Sequence, residues 1–190
     1  MKWKDRWWVP FLVVGLLVAT GVWASYHLVI SPDSSQTQEE IPPTSNSALE
    51  LEGSRVPEFT VLDKNGLDKT DADFSDKPML IVEWASWCPD CQQQLPVVQE
   101  VYKKYGDKVN FVMINLSDPN IEPKEQADQY IKREGFSFPY YYDNGQQAAD
   151  SLKVQSIPTM YFVDKEQNVK KVVIRFQDEA SLEAQLKTIL

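Results

Sequence analysis

Trp84-Ala85-Ser86-Trp87-Cys88-Pro89-Asp90-Cys91 holds the only two cysteines of the 190-residue chain. An apolar run, Met79-Leu80-Ile81-Val82, leads into it, and a helix-compatible stretch from Gln92 to Tyr105 follows. A strand that delivers Cys-x-x-Cys to a helix start is a redox arrangement with a physical cause. The helix N-terminus carries unpaired N–H groups and partial positive charge, which favour a thiolate on the first cysteine. One helical turn then brings the second sulfur within reach of a short disulfide. A purely structural bridge would normally close a longer loop and so constrain the unfolded chain. Thiol–disulfide exchange is therefore the first expectation.

The totals remove several rivals. The net charge of −9 argues against nucleic acid, which selects clustered Lys and Arg. His27 is the single histidine and lies in an apolar segment, so no Cys–His nucleophile pair is expected. One Cys-x-x-Cys supplies two metal ligands where a zinc site needs about four, so neither a metal nor a cofactor beyond the cysteine pair is expected. A hydrophobic fraction of 43% fits a globular chain with room for one domain and some extra segments.

Outward from the cysteines toward the N-terminus, residues 7–32 contain no Asp, Glu, Lys or Arg. Residues 9–30 are long enough, at about 1.5 Å per residue, to cross a bilayer. Lys2, Lys4 and Arg6 against Asp5 leave the first six residues at +2 and the remainder at −11. That asymmetry predicts a cytoplasmic segment 1–8, a transmembrane signal anchor 9–30, and everything after it outside the cytoplasm. The rival is a signal peptide cleaved after Ala24, at Val22-Trp23-Ala24. Residues 31–56 are rich in Ser, Pro, Gln, Thr and Glu and read as a flexible tether.

The folded domain is expected over 57–190. Phe59-Thr60-Val61-Leu62 and Leu67 to Thr70 flank the turn signal Asn65-Gly66 and predict a hairpin. Met79 to Trp84 and Lys108 to Asn115 predict buried strands on either side of the helix that follows the cysteines, and Pro96 should kink that helix. Pro123 opens a second helix that ends at Gly135. Phe138 to Asp143 is an aromatic stretch read as packing. A short helix over Gln146 to Lys153, two strands over Met160 to Phe176 and a helix over Asp178 to Leu190 complete the order. Strand–helix–strand implies a parallel pair, and the closing strand pair must be antiparallel. The fold class is α/β, a mixed central sheet flanked by helices.

Residues 57–190 resemble the thioredoxin-like proteins. Trp-Ala-Ser-Trp-Cys-Pro-x-Cys, Pro96 five residues after the second cysteine, and Ile157-Pro158-Thr159 carry the likeness. The hairpin extension and Gly135-Phe136-Ser137-Phe138-Pro139 resemble the membrane-anchored TlpA and ResA branch. That resemblance implies an exposed attacking Cys88, a buried resolving Cys91, and a cis Pro158 facing them. It implies that Ile157 and Pro158 meet the substrate and that Trp87 flanks the same surface. Trp84 is better read as core.

Two positions depart from the family. A buried acid or amide often stands six residues before the first cysteine; here Val82 stands there, and the carboxylate is Glu83. One step along a strand turns a side chain to the opposite face, so Glu83 is a candidate for tuning the thiols only if it reaches Cys91. The cytochrome-maturation reductases of this branch tend to carry Glu three residues after the second cysteine, and this chain has Gln94.

These features predict an extracytoplasmic thiol–disulfide oxidoreductase that exchanges with exported proteins and with a membrane or extracytoplasmic redox partner. Asp90 disfavours a nearby thiolate while the helix start favours it. Ile157 resembles the reducing thioredoxins. The compartment, where disulfides are made and persist, and the likeness of Cys-Pro-Asp-Cys to Gram-positive disulfide-forming enzymes point to oxidation. The alternatives are a reductase for cytochrome c maturation or repair of exported proteins, and a redox-inactive binding module.

Overall fold

The computed structural model describes residues 47–190. The expected cytoplasmic segment, the anchor over 9–30, the cleavage position after Ala24 and the tether up to 46 lie outside the described residues. Among the described residues no helix is long and apolar enough to cross a membrane.

In chain order the strands and helices are β1 (Thr60–Leu62), β2 (Asp68–Thr70), β3 (Met79–Trp84), α1 (Pro89–Tyr105), β4 (Asn110–Asn115), α2 (Lys124–Glu134), β5 (Tyr140–Tyr142), α3 (Gln147–Ser151), β6 (Thr159–Val163), β7 (Val169–Val173) and α4 (Glu179–Leu186). They build a seven-stranded sheet in the order β2-β1-β5-β4-β3-β6-β7. β3 pairs in parallel with β4, and β4 in parallel with β5. The pairs β1–β2, β1–β5, β3–β6 and β6–β7 are antiparallel. This is a thioredoxin-like mixed sheet with an N-terminal hairpin.

Alternation along the strands builds two cores. Leu80, Val82 and Trp84 of β3 face Leu95 and Val98 of α1, Tyr130 of α2 and Leu182 of α4. Met79 and Ile81 face the other side, where Ala148 of α3, Leu152 and Tyr161 pack. Both faces of the central strands are dry, which is why β3 reads as a continuous apolar run in the sequence. α1 runs through Pro96 to Gly106. α2 stops at Gly135, whose φ of +70° is the left-handed conformation that glycine adopts at low cost.

Two expectations are corrected. Phe138 to Asp143 is not only packing: residues 140–142 form β5, inserted between the hairpin and β4, so the hairpin is joined to the main sheet. The domain also begins before 57. Ser47 caps a 3-10 turn over Ala48–Leu51, and Ala48, Leu51 and Val56 are buried in the second core. Gly53 and Val56 N–H groups donate to the carbonyls of Val169 and Gln167, and Val169 N–H donates to Ser54. This segment lies along β7, the outer strand, and uses hydrogen-bonding groups that the sheet would otherwise leave open.

Candidate active site

The register brings four loops to one end of the sheet. β3 and β4 point their C-terminal ends there, and antiparallel β6 begins there, with Thr159 opposite Glu83. β7 ends there, with Val173 opposite Met160. The segments Ala85–Cys88, Leu116–Pro123, Ser156–Pro158 and Ile174–Gln177 therefore share one edge, and the cysteines sit in the first of them.

Cys88 is the N-cap of α1, and its Sγ accepts the N–H of Cys91 at 3.2 Å. Pro89 occupies the first helical position, where its missing N–H costs nothing. The Cys88 thiol also donates to the carbonyl of Ile157 at 3.4 Å, which ties the cysteine to the Ile157–Pro158 segment. The Ile157–Pro158 peptide is cis, and Thr159 Oγ1 donates to the Ser156 carbonyl at 2.6 Å, closing that loop. The structure holds both cysteines as free thiols.

Cys88 is less open than the resemblance implies: it is 4% exposed and Cys91 is 0% exposed. The Ile157 carbonyl lies against the Cys88 sulfur and covers part of it. Burial pushes the Cys91 thiol well above the ordinary thiol range, and its contact with Cys88 and the charge of Asp90 act in the same direction. Asp90 itself is exposed in the first turn of α1. Trp87 is 51% exposed beside the cysteines. With Ile157, Leu116, Ala149 and Val154 it lines a cleft of about 370 Å³.

The two departures from the family now have places. Val82 lies in the same core as Cys88 and Cys91 and offers no proton acceptor. Glu83 is fully buried, on the face away from the cysteines, with neither carboxyl oxygen hydrogen-bonded. Burial, and then the charge of Asp143, push its carboxyl well above the usual range. Gln94 is fully buried one turn beyond Cys91. Its amide N–H donates to the Gln177 carbonyl at 3.1 Å, and its amide oxygen accepts the Gln177 N–H at 2.7 Å. A carboxylate could not make the first of these bonds.

One polar residue at this edge was not singled out by its sequence pattern. Glu122 is fully buried, and its Oε1 accepts the Ser86 N–H at 2.8 Å and the Asn115 amide at 2.9 Å. Its Oε2 accepts the Ser86 hydroxyl and the Gln126 amide, both at 2.9 Å. The Ser86 carbonyl in turn accepts from Gln92 at 2.7 Å. Ser86, two residues before Cys88, is thus held at three atoms. No local spacing points to Glu122, because its partners lie up to 36 residues away.

The redoxin family profile matches residues 51–188. The chain is 28% identical over 140 residues to the thiol-disulfide oxidoreductase ResA of Geobacillus kaustophilus, covering 72% of this chain and 77% of that one. It is 30% identical over 138 residues to ResA of Bacillus thuringiensis strain Al Hakam, covering 72% and 78%. Among solved structures, StoA from Bacillus subtilis superposes with a TM-score of 0.59 at 22% identity, over 68% of this chain and 96% of that one. A thiol:disulfide interchange protein of the thioredoxin family from Chlorobium tepidum gives 0.62 at 22% identity, over 73% and 97%. At these identities the two structures speak for the fold alone.

Proposed function

The chain belongs to the redoxin family and is a thiol–disulfide oxidoreductase of the TlpA/ResA-like kind; from that footing we propose that it forms disulfide bonds in exported proteins. Residues 9–30 anchor it in the membrane, and the domain works on the extracytoplasmic side. Cys88 and Cys91 are the reacting pair, Ile157, Pro158 and Trp87 meet the client, and a membrane or extracytoplasmic partner restores the disulfide.

The observation that carries this reading is the hydrogen bond from the Cys91 N–H to Cys88 Sγ. A client thiolate attacks Cys88 Sγ in the Cys88–Cys91 disulfide. The client–Cys88 bond forms, the bond to Cys91 breaks, and the departing Cys91 sulfur takes up a proton. A second client thiolate then attacks the client sulfur of the mixed disulfide and expels Cys88 as a thiolate. The Cys91 N–H and the helix start receive that charge. Two electrons pass from the client to the cysteine pair, and stabilising the reduced pair makes it the stronger oxidant.

The buried Cys91 thiol, held well above the ordinary range, bears on both directions alike, because the same sulfur leaves when a client attacks Cys88 and attacks when a client is released. Neither Val82 nor Gln94 can exchange a proton with it. The test is the reduction potential together with reactivation of reduced ribonuclease by the oxidised protein. We expect a potential above about −200 mV and efficient reactivation, against about −270 mV for thioredoxin. A thioredoxin-like potential with no reactivation would overturn the oxidase and favour the reductase alternative.

A further inference from the structure

We propose that Glu83 is a positioning residue for Cys88: ionisation of its carboxyl draws the Thr159 hydroxyl away from the Ser156 carbonyl, loosens the Ser156–Pro158 loop and uncovers the Cys88 sulfur. The reactivity of the first cysteine then depends on pH through a group on the opposite face of the sheet. This rests on Cys88 as the reacting thiol but not on the direction of exchange.

Glu83 is fully buried, and neither of its carboxyl oxygens has a hydrogen-bond partner. A neutral carboxyl is tolerated in a dry interior at some cost, whereas a carboxylate there needs a donor. At the level of Glu83, β4 offers Ile114, which has none to give. β6 offers Thr159 directly opposite, and antiparallel partners project to the same face with Cβ atoms about 5 Å apart. Tyr161, two residues further along β6, is close enough to feel the charge of Glu83, but its hydroxyl donates to the Leu152 carbonyl at 2.7 Å. Just after β5, Asp143 is buried, and its carboxyl accepts the N–H groups of Ala148 and Ala149. It brings like charge to Glu83 and no donor. Asp150 of α3 is exposed and adds negative charge at Asp143. Thr159 is therefore the donor that a carboxylate at Glu83 can recruit, by one rotation about its Cα–Cβ bond.

The effect reaches the cysteine in two steps. Thr159 Oγ1 donates to the Ser156 carbonyl at 2.6 Å and closes the loop. The next carbonyl along, that of Ile157, accepts the Cys88 thiol at 3.4 Å and leaves Cys88 only 4% exposed. When the hydroxyl turns toward Glu83, the Ser156 carbonyl loses its bond and the loop loses its closure beside the sulfur. Burial, with Asp143 adding to it, holds the carboxyl well above the usual range, so the change falls on the alkaline side of ordinary glutamate titration. A buried carboxyl that lowers stability, directly opposite the residue that closes the Pro158 loop, is the kind of cost that functional sites carry.

The test uses the full-length reduced chain and follows alkylation of Cys88 by iodoacetamide, read by peptide mass, across the pH range over which the thiols ionise. Each rate is divided by that of Glu83→Gln, which cannot ionise, so that ordinary thiol titration cancels. We expect this ratio to rise with pH by roughly three- to tenfold, the worth of one hydrogen bond on the loop. Its midpoint should match the titration of the Glu83 carboxyl, followed by carbon-13 NMR in the native chain. With Thr159→Val in both proteins the ratio should be flat, and with Thr159→Ser, which keeps the hydroxyl, the rise should return. A flat ratio in the native background overturns the proposal and leaves the exchange reaction standing. A rise that survives Thr159→Val also overturns it, since the carboxylate would then act on the thiol by charge alone. Should Glu83→Gln fail to fold, the native rate corrected for thiolate fraction is compared with the NMR midpoint, and a mismatch between the two overturns the proposal.

Discussion

A carboxyl group without a hydrogen-bond partner in a dry interior costs stability, and Glu83 is such a group. Its neighbours β4 and β6 use its backbone, but no hydrogen bond reaches its side chain. Its carboxyl is held well above the usual range by burial and by Asp143. The sign of the consequence is fixed. Between the ordinary glutamate range and the raised folded value, the unfolded chain gives up a proton that the folded chain retains. Stability is therefore highest at acidic pH with respect to this group and falls as pH rises through that window. Glu83→Met, similar in length and without the carboxyl, should be more stable than the native chain by roughly 1–3 kcal/mol at pH 8. The gain should shrink toward pH 4. Urea midpoints at the two pH values check this, and a loss of stability at pH 8 would show that Glu83 has a compensating role. The facing of Glu83 was legible in the sequence, because strand period alone sets it one step away from Val82. The bonds of Gln94 were not, since its partner Gln177 is 83 residues away and engages through backbone atoms that carry no side-chain signature.

At the scale of elements, the active-site loop is stabilised from outside its own strand and helix. Asn115 ends β4, Ser86 follows β3, and Glu122 gathers both of them with Gln126 of α2. The loop that delivers Glu122 is itself closed by a pair of backbone hydrogen bonds between Asp118 and Glu122, each 2.9 Å. Glu122→Ala would leave the buried Ser86 N–H and the Asn115 amide without this acceptor. We expect a loss of roughly 2–4 kcal/mol for stranding buried donors, read as a lower urea midpoint. Disulfide exchange at Cys88 should slow in the same variant, because its loop is no longer held at Ser86. An unchanged midpoint would show that other groups take over these donors. The elements themselves were largely legible: the long, dry strands and the cysteine-bearing helix follow from periodicity and capping. β5 escaped because Tyr140-Tyr141-Tyr142 is only three residues long and its aromatic run lacks alternation. Its identity as a strand comes from β1 and β4 on either side, which local pattern does not reveal.

For the molecule as a whole, the limits of the folded unit matter more than its centre. Ser, Pro, Gln, Thr and Glu over residues 31–56 predict a tether, and composition hides the two apolar anchors Leu51 and Val56 within it. Those anchors, with Ala48, fill the second core beside Phe59, Met79 and Val169. Lys171 pairs with Glu52 at 2.9 Å, and Glu52 also accepts the Val172 N–H at 2.9 Å. The segment thus serves β7 in two ways, by covering its apolar side chains and by occupying its outer hydrogen-bonding groups. The ion pair contributes little because it is largely open to solvent. The burial dominates, at roughly 1.5–3 kcal/mol for a fully buried Leu or Val side chain. A chain that starts at 57 should therefore be less stable than one that starts at 47 by roughly 3–5 kcal/mol. It should also associate more readily, since the outer face of β7 would be left open to pair with another chain. Urea midpoints and sedimentation of the two truncated proteins measure both effects. The redox pair lies at the far end of β7 from the Gly53–Val169 contact, so the two proteins should differ little in exchange rate at temperatures where both are folded. A slower exchange in the shorter protein would mean that the N-terminal segment reaches the active site through β7 and β6, which carry the Ile174–Gln177 segment and the Pro158 loop on their cysteine ends.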